Sequence, residues 1–452
     1  MAQAANAGDI QRRVDTRALR DQVAALIDDA CRGGADAAEV SASAGCSLSV
    51  SARGGQRESV ESANARSAGV TVYRGQRAAT ATTSDLSAEG LAQTLARALD
   101  MARFTEPDPY AGLADAELMA TDWPNLSLNH PWSLSADEAE RRALALEAAA
   151  LERDPRIAQV EGAQVATESE FDVYANSHGF IAAQAETQHV MSCSALARDD
   201  SGMQRDVAFS PARAVDDLEA ETIIGQLAAD RALARLGART PPTATVPVLF
   251  QPRAAVSLWQ HLISAISGGA LYRNASFLKD RLGEAIAVPS VTLRQSPHRP
   301  RGLASAGFDG DGVATRERAL VESGVLNSYV LSAYSARRLG RQTTGNAGGV
   351  FNPEINPGDA DFDALVAGMG RGLIVSELMG QGVDLTTGDY SRGAAGFWVE
   401  DGRVAYPVQN ATIAANLADM YQAIEALGND VDPTRVLRTP SVLIGRMTVA
   451  GT

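Results

Sequence analysis

Between Thr16 and Gly33 apolar residues recur every three or four positions. Leu19, Val23, Leu26 and Ile27 share one face, so the spacing predicts a helix capped by Thr16 and closed by Gly33-Gly34. The period then changes. Residues 38–53 and 66–83 are rich in Val, Ser and Thr, and stretches such as Val70-Thr71-Val72-Tyr73 alternate between Gly54-Gly55 and Gly75, which predicts strands and turns. Helical spacing returns over 84–104, with Leu91, Leu95, Leu99 and Ala102 on one stripe. Pro107, Pro109, Pro124 and Pro131, with several Asp and Asn, predict a surface connection over 105–134. Ser135 and Glu138 have the spacing of a capping box for a helix running to about Asp154. A second meander follows over 160–196, with a hairpin turn at Asn176-Ser177-His178-Gly179, then a helix over 218–236 closed by Gly237.

Pro241-Pro242 cannot continue a helix and marks the expected domain boundary. Beyond it, 246–250 reads as a buried strand and 254–267 as a helix. Residues 285–452 read as short strands with many glycines, such as Val325-Leu326-Asn327-Ser328-Tyr329-Val330-Leu331 and Gly396-Phe397-Trp398-Val399, interrupted by helices near 361–371 and 416–427. The expected fold is α+β in two domains: a helix-and-β-meander domain over 16–240 and a strand-rich domain over 243–452. Residues 1–15 are expected to be a disordered tail.

Composition narrows the function. The chain has 452 residues, 55 acidic and 40 basic, for a net charge of −15. That balance argues against nucleic acid as a partner, since phosphate contacts need a basic face, and against an anionic membrane surface. No apolar run approaches the roughly 18 residues of a membrane span. Arg12-Arg13 is followed by Asp15, Arg17, Arg20 and Asp21 rather than an apolar stretch, so no secretory signal is expected. Cys31, Cys46 and Cys193 form no C-x-x-C pair, which fits a reducing cytoplasm. The five histidines, His130, His178, His189, His261 and His298, lie outside metal-ligand spacing of any cysteine, so no zinc finger is expected.

Several motifs read best as structure. Gly368-Met369-Gly370-Arg371-Gly372 lacks dinucleotide-binding spacing and suits a helix end or close packing. Asp359, Asp361 and Asp363 imitate the start of a calcium loop. Ala364 and Gly370 stand where that loop needs its glycine and its glutamate, so a helix start is expected instead. Asp309-Gly310-Asp311-Gly312 is turn chemistry. Ser391 lacks the upstream spacing of a nucleophile elbow and reads as a loop serine. His178 is expected in an exposed turn, and His189 as a surface or half-buried strand residue. The glycines of 388–396 imply tight turns or close backbone approach.

Longer strings carry a resemblance. Ser276-Phe277-Leu278-Lys279-Asp280, Phe308-Asp309-Gly310-Asp311-Gly312-Val313-Ala314-Thr315-Arg316 and Gln342-Thr343-Thr344-Gly345-Asn346-Ala347-Gly348-Gly349 resemble the PmbA (TldE) branch of the TldD/PmbA family. So do Glu377-Leu378-Met379-Gly380-Gln381-Gly382, the string from Gly388 to Trp398, and Gly34-Ala35-Asp36-Ala37-Ala38-Glu39-Val40 in the N-terminal half. The resemblance implies a subunit of a cytoplasmic metallopeptidase in which a TldD-type chain, carrying H-E-x-x-x-H, a later cysteine and zinc, pairs with a TldE/PmbA-type chain. It implies unfolded peptides as substrate, and an older association of the family with DNA gyrase.

The zinc motif should fall at 259–264, counted back from Ser276. Here Trp259 stands at the first ligand position, Gln260 at the glutamate and Ser264 at the last ligand. Indole and hydroxyl are poor zinc ligands, and an amide cannot act as general base. His261 is out of register by two, about 200° round a regular helix from Trp259, and Trp259, Leu262, Ile263 and Ile266 form a plausible core stripe. No cysteine follows Cys193, and no H-E dipeptide occurs anywhere in the chain. The expectation is a chain with no catalytic residue and no metal of its own, its zinc held by a TldD-like partner, and a possible homodimer when alone. If the degenerate site lines a cavity, Trp259, Gln260 and His261 face it or lie just behind it. Two alternatives stand beside this reading: an autonomous metallopeptidase using scattered ligands such as His178, Asp309 and Asp311, and a non-enzymatic regulator that binds gyrase or another protein.

Overall fold

The computed structural model describes residues 15–451. The expected tail over 1–15 lies outside the described residues except Asp15. Its Oδ1 accepts from Ala18 N at 2.9 Å, so Asp15, and not Thr16, caps helix α1 (Thr16–Arg32).

The N-terminal half is built on one antiparallel sheet of order β3-β2-β1-β4-β5-β6. Its strands are β1 (Ala37–Arg53), β2 (Gln56–Arg74), β3 (Arg77–Thr83), β4 (Ile157–Asn176), β5 (Ile181–Asp199) and β6 (Gly202–Ala212). Strict alternation along β1 turns Ala38, Val40, Ala42, Ala44, Cys46, Leu48, Val50 and Ala52 to one face. The first half of that row packs on α1 and α2 (Ala88–Met101). The second half packs on α3 (Ala136–Leu151) and α4 (Glu221–Ala234). Ser135 caps α3 through Glu138 N (3.2 Å), and the turn at 176–179 joins β4 to β5 with Ala175 opposite Ile181. Strand β2 begins ten residues before the predicted stretch at Arg66. Its first half is polar and exposed, so it shows no alternation, and pairing to β1 holds it.

In the C-terminal half, β7 (Ala244–Phe250), β12 (Gly372–Met379), β13 (Asp389–Glu400), β14 (Arg403–Asn416), β15 (Ile424–Leu427) and β16 (Val442–Gly451) run in the order β14-β13-β12-β7-β16-β15. Pairing of β14 with β16 closes a five-stranded ring. A smaller sheet holds β8 (Leu293–Gln295), β9 (Arg318–Glu322), β10 (Val325–Leu326) and β11 (Pro353–Ile355). The core between them contains Phe250, Leu258, Trp259, Leu262, Tyr390, Trp398 and Tyr421. Helices α5 (Pro252–Ala265), α6 (Gly268–Tyr272), α7 (Ala333–Arg338), α8 (Phe362–Met369) and α9 (Leu417–Gln422) complete it. Both halves mix helix and strand, as the α+β expectation requires.

Several local expectations are corrected. The stretch 325–331 pairs as a strand only at Val325–Leu326, because the chain then turns to bridge Ser267 at Val330. The helix expected over 416–427 stops at Gln422, and Ile424–Leu427 joins the sheet as β15 beside β16. Ser391 is a β13 residue paired with Ala414, not a loop serine. His189 is fully buried, held by Thr167 Oγ1 at 2.8 Å and the His130 carbonyl at 3.0 Å. Two others hold: Asp361 caps α8 through Ala364 N, and Gly372 abuts the Pro247 carbonyl, so the nearby acids and glycines serve the helix and its packing as expected.

The segment 105–134 keeps its four prolines exposed, as a surface connection does, but it is anchored at intervals. Leu113, Ala114, Ala120, Leu126, Leu128, Trp132 and Leu134 are buried along it. Ala120 N donates to the Gly312 carbonyl and Arg301 N to that of Leu126, while Leu128 accepts from Thr187 N. Arg337 of α7 clamps the segment by donating to the carbonyls of Tyr110 (2.9 Å), Gly112 and Leu113 (2.8 Å). Its prolines prevent regular structure, and burial with hydrogen bonds to both halves makes it a strap that fixes one against the other.

Candidate functional site

Helix α5 leaves the end of β7 with Pro252 in its first turn, where a missing N–H costs no hydrogen bond. Its two faces diverge. Ala255, Leu258, Trp259, Leu262 and Ala265 are buried in the C-terminal core. Trp259 is 0% exposed; its indole lies nearly parallel to the Tyr421 ring, 19° apart with centroids at 6.0 Å. The opposite face presents Arg253, Ser257, Gln260, His261 and Ser264, spaced four, seven, eight and eleven residues along one helical stripe, to a cleft.

The cleft lies between the two halves. One part, of about 490 Å³, is walled by α5, Asp206 and Phe209 of β6, Arg231 of α4, and Glu377 and Arg392 of β12 and β13. It adjoins a larger trough of about 850 Å³ with Val190, Ile263, Val350, Val436 and Leu437 in its walls. Phe209, Arg253, Val256, Gln260, His261 and Arg435 line both.

An ion-pair network holds the rim. Asp206, its side chain 4% exposed, accepts from both terminal nitrogens of Arg253 at 2.6 and 2.7 Å, and Arg235 approaches at 3.4 Å. Burial pushes the Asp206 carboxyl up, but the hydrogen bonds and charge of Arg253 outweigh it, so its pKa lies below the ordinary aspartate value. Arg235 also pairs with Glu377. His261 Nε2 lies 3.3 Å from Ser257 Oγ, and burial, then the positive charge of Arg392, hold the imidazole below its usual pKa.

The degenerate motif positions thus divide. Gln260 and Ser264 face the cleft with His261, whereas Trp259 lies behind it in the core. The donor set does not fit a catalytic zinc, because an amide, a hydroxyl and one imidazole surround the position and the Asp206 and Glu377 carboxylates are tied to arginines. Among the described residues, His178, Asp309 and Asp311 do not bring three ligand atoms together either, although the charge of Asp311 is felt by Asp309. His178 Nε2 bonds the Ala114 carbonyl (3.0 Å). Asp309 accepts from the amides of Asp311, Val313 and Ala347, and Asp311 from that of Ala333. Among the described residues, the carboxylates of Glu170, Asp172 and Glu186 do come together, on the sheet face that looks toward 306–310.

Reasoning from sequence passed over Asp206, Arg253, Arg392 and Arg435. No short motif joins residues so far apart, and the one local signal, the helical spacing of Arg253 and Ser257 to Gln260 along α5, was passed over as well. It also passed over Glu39, whose carboxylate accepts from Tyr73 OH (2.7 Å) and Tyr174 OH (2.8 Å) and whose pKa burial raises.

Three domains of one family match in order: PmbA/TldA metallopeptidase domain 1 over residues 38–102, the central domain over 129–236 and the C-terminal domain over 243–451. The chain is 42% identical over 435 residues to Metalloprotease PmbA of Escherichia coli O157:H7, covering 96% of this chain and 97% of that one. It is 39% identical to a Metalloprotease PmbA homolog of Haemophilus influenzae, with 96% of each covered. A crystal structure from Bacteroides thetaiotaomicron, named for modulation of DNA gyrase, superposes with a TM-score of 0.90 at 26% identity, covering 96% of this chain and 99% of that one. TldE from Thermococcus kodakarensis shares the fold, with a TM-score of 0.83 at 23% identity over 95% of this chain and all (100%) of that one. With its three domains matched in sequence and its relatives aligned end to end, the chain belongs to the PmbA/TldA metallopeptidase family, in the PmbA/TldE branch.

Proposed function

We propose that this chain is the zinc-free, TldE/PmbA-type subunit of a cytoplasmic metallopeptidase complex that acts on unfolded peptides, with the metal and the hydrolytic step supplied by a TldD-type partner. The observation that carries the reading is the division of α5. The helix turns Gln260, His261 and Ser264 to a cleft large enough for a peptide, and buries Trp259 where the first metal ligand would stand. The chain contributes the enclosing surface of a peptide chamber. An extended substrate is recognised there by its backbone and its apolar side chains rather than by sequence.

Purified alone, as a monomer or homodimer, the chain should hold no stoichiometric zinc by metal analysis and leave an unfolded protein substrate intact. Adding a TldD-type chain should produce a stable complex and chelator-sensitive cleavage. One tightly held zinc per isolated chain, or cleavage without a partner, would overturn the proposal. Capture of a topoisomerase in place of a TldD-type chain would favour a regulatory role instead.

A further inference from the structure

The cleft wall runs against the acidic balance of the chain. In a chain of net charge −15, the wall of its smaller part holds Arg231, Arg253, Arg392 and Arg435 against two carboxylates, Asp206 and Glu377. Both carboxylates are already paired, Asp206 with Arg253 and Arg235, Glu377 with Arg235. Arg435 has its own partner in Asp432, at 3.1 Å. Arg392 is different. Its hydrogen bonds go to neutral groups, Ser257 Oγ at 3.0 Å and the Met379 carbonyl at 3.3 Å, and among the described residues it forms no ion pair. Arg231 likewise donates to a carbonyl, that of Val207, at 2.8 Å. A half-buried guanidinium that keeps free N–H groups and lacks a counter-ion is a receptor for a planar anion.

The neighbouring surface says which anion. Beside Arg392 the cleft opens into the trough walled by Phe209, Val256, Ile263, Val350 and Leu437, so the ligand carries an apolar group close to its negative charge. A peptide ending in an apolar residue has that shape. We propose that Arg392 binds the α-carboxylate of a peptide's C-terminus, with the last side chains lying in the trough along α5. The proposal deepens the peptide-binding reading above and rests on it for the class of ligand. Anchoring the end of the substrate gives this subunit a role in setting which end of a chain enters the chamber.

The test uses the isolated full-length protein and calorimetric titration with an N-acetylated hexapeptide ending in leucine, as the free acid and as the C-terminal amide. The acid should bind at least about tenfold more tightly. Arg392→Gln should abolish that preference by weakening binding of the acid more than that of the amide, and Arg392→Lys should retain part of it. Equal affinity of acid and amide, no binding of either, or a preference that survives Arg392→Gln would overturn the proposal. Because the wild-type comparison of acid with amide needs no variant, misfolding of a variant cannot rescue it. Equal affinities would leave pairing with a TldD-type chain intact, and failure of that pairing would leave the acid–amide difference measurable.

Discussion

Trp259 donates its indole N–H to Thr439 Oγ1 across 2.8 Å, joining residues 180 positions apart inside the C-terminal core. The bond satisfies a polar atom that burial would otherwise leave without a partner, and the ring stacks on Tyr421. The side chain therefore has a structural task inside the core, pointing away from the cleft. Trp259→Phe removes the bond but keeps most of the packing and should cost about 1–2 kcal/mol. Trp259→Ala should cost about 3–5 kcal/mol. Urea unfolding of the two variants checks the order; a Trp259→Phe variant as stable as the wild type would mean that the hydrogen bond contributes nothing.

Asp206 lies where β6 of the N-terminal half meets α5 of the C-terminal half, with Arg253 bidentate on it. Removing one partner of a buried pair leaves the other charge uncompensated, so Asp206→Ala should destabilise by about 3–5 kcal/mol. The acid limb follows from the sign of its shift. Its folded pKa lies below the unfolded value, so its contribution is present above the ordinary aspartate pKa and is lost as pH falls through the folded one. Between pH 5 and pH 3 the wild-type urea midpoint should fall more steeply than that of Asp206→Asn.

Gly396 meets the Ile374 carbonyl so closely that an added Cβ would stand 1.8 Å from that oxygen, beside the point where β12 bulges against β13. Backbone cannot yield as a flexible side chain does, so Gly396→Ala should prevent the sheet from closing and drive the protein into the insoluble fraction. Gly348, with no neighbour within 4 Å of its Cβ but a φ of 101°, should accept Asn at a cost of about 1 kcal/mol. Comparing soluble yields separates close approach from backbone conformation as the reason for glycine.

The periodic segments of the fold were legible in the sequence. The stripe Leu19-Val23-Leu26-Ile27 and the alternation in β1 each encode which face is buried, and both faces are buried as that pattern requires. What carried no period was read only in part. The strap over 105–134 is shaped by prolines and held by partners more than a hundred residues away, such as Arg337 on Tyr110, and local spacing does not register such partners. The same holds for the cleft. Gln260 and Ser264 could be found by counting along α5. Arg392 and Arg435 reach them through the folding of the C-terminal half and Asp206 through the docking of the two halves, and no local pattern records either.

Asp172 offers a test of that docking through pH. It lies on the outward face of β4 beside Glu170, in a cavity of about 390 Å³ closed on the far side by Ala306, Phe308 and Asp309 of the C-terminal half. Burial, then the charge of Glu170, pushes its pKa up to about 7. Across the same cavity, burial raises Asp309 to about 6, against the pull of its amide hydrogen bonds. A carboxyl whose folded pKa exceeds its unfolded one holds a proton that the unfolded chain has lost. Stability therefore falls as pH rises from near 4 and levels off only above the folded value. Asp172→Asn removes that penalty. It should raise stability by about 1–3 kcal/mol at pH 8 and by much less at pH 5, read from urea midpoints at the two values. An equal effect at both would mean that Asp172 is ionised throughout and that the inter-domain cavity is open to water.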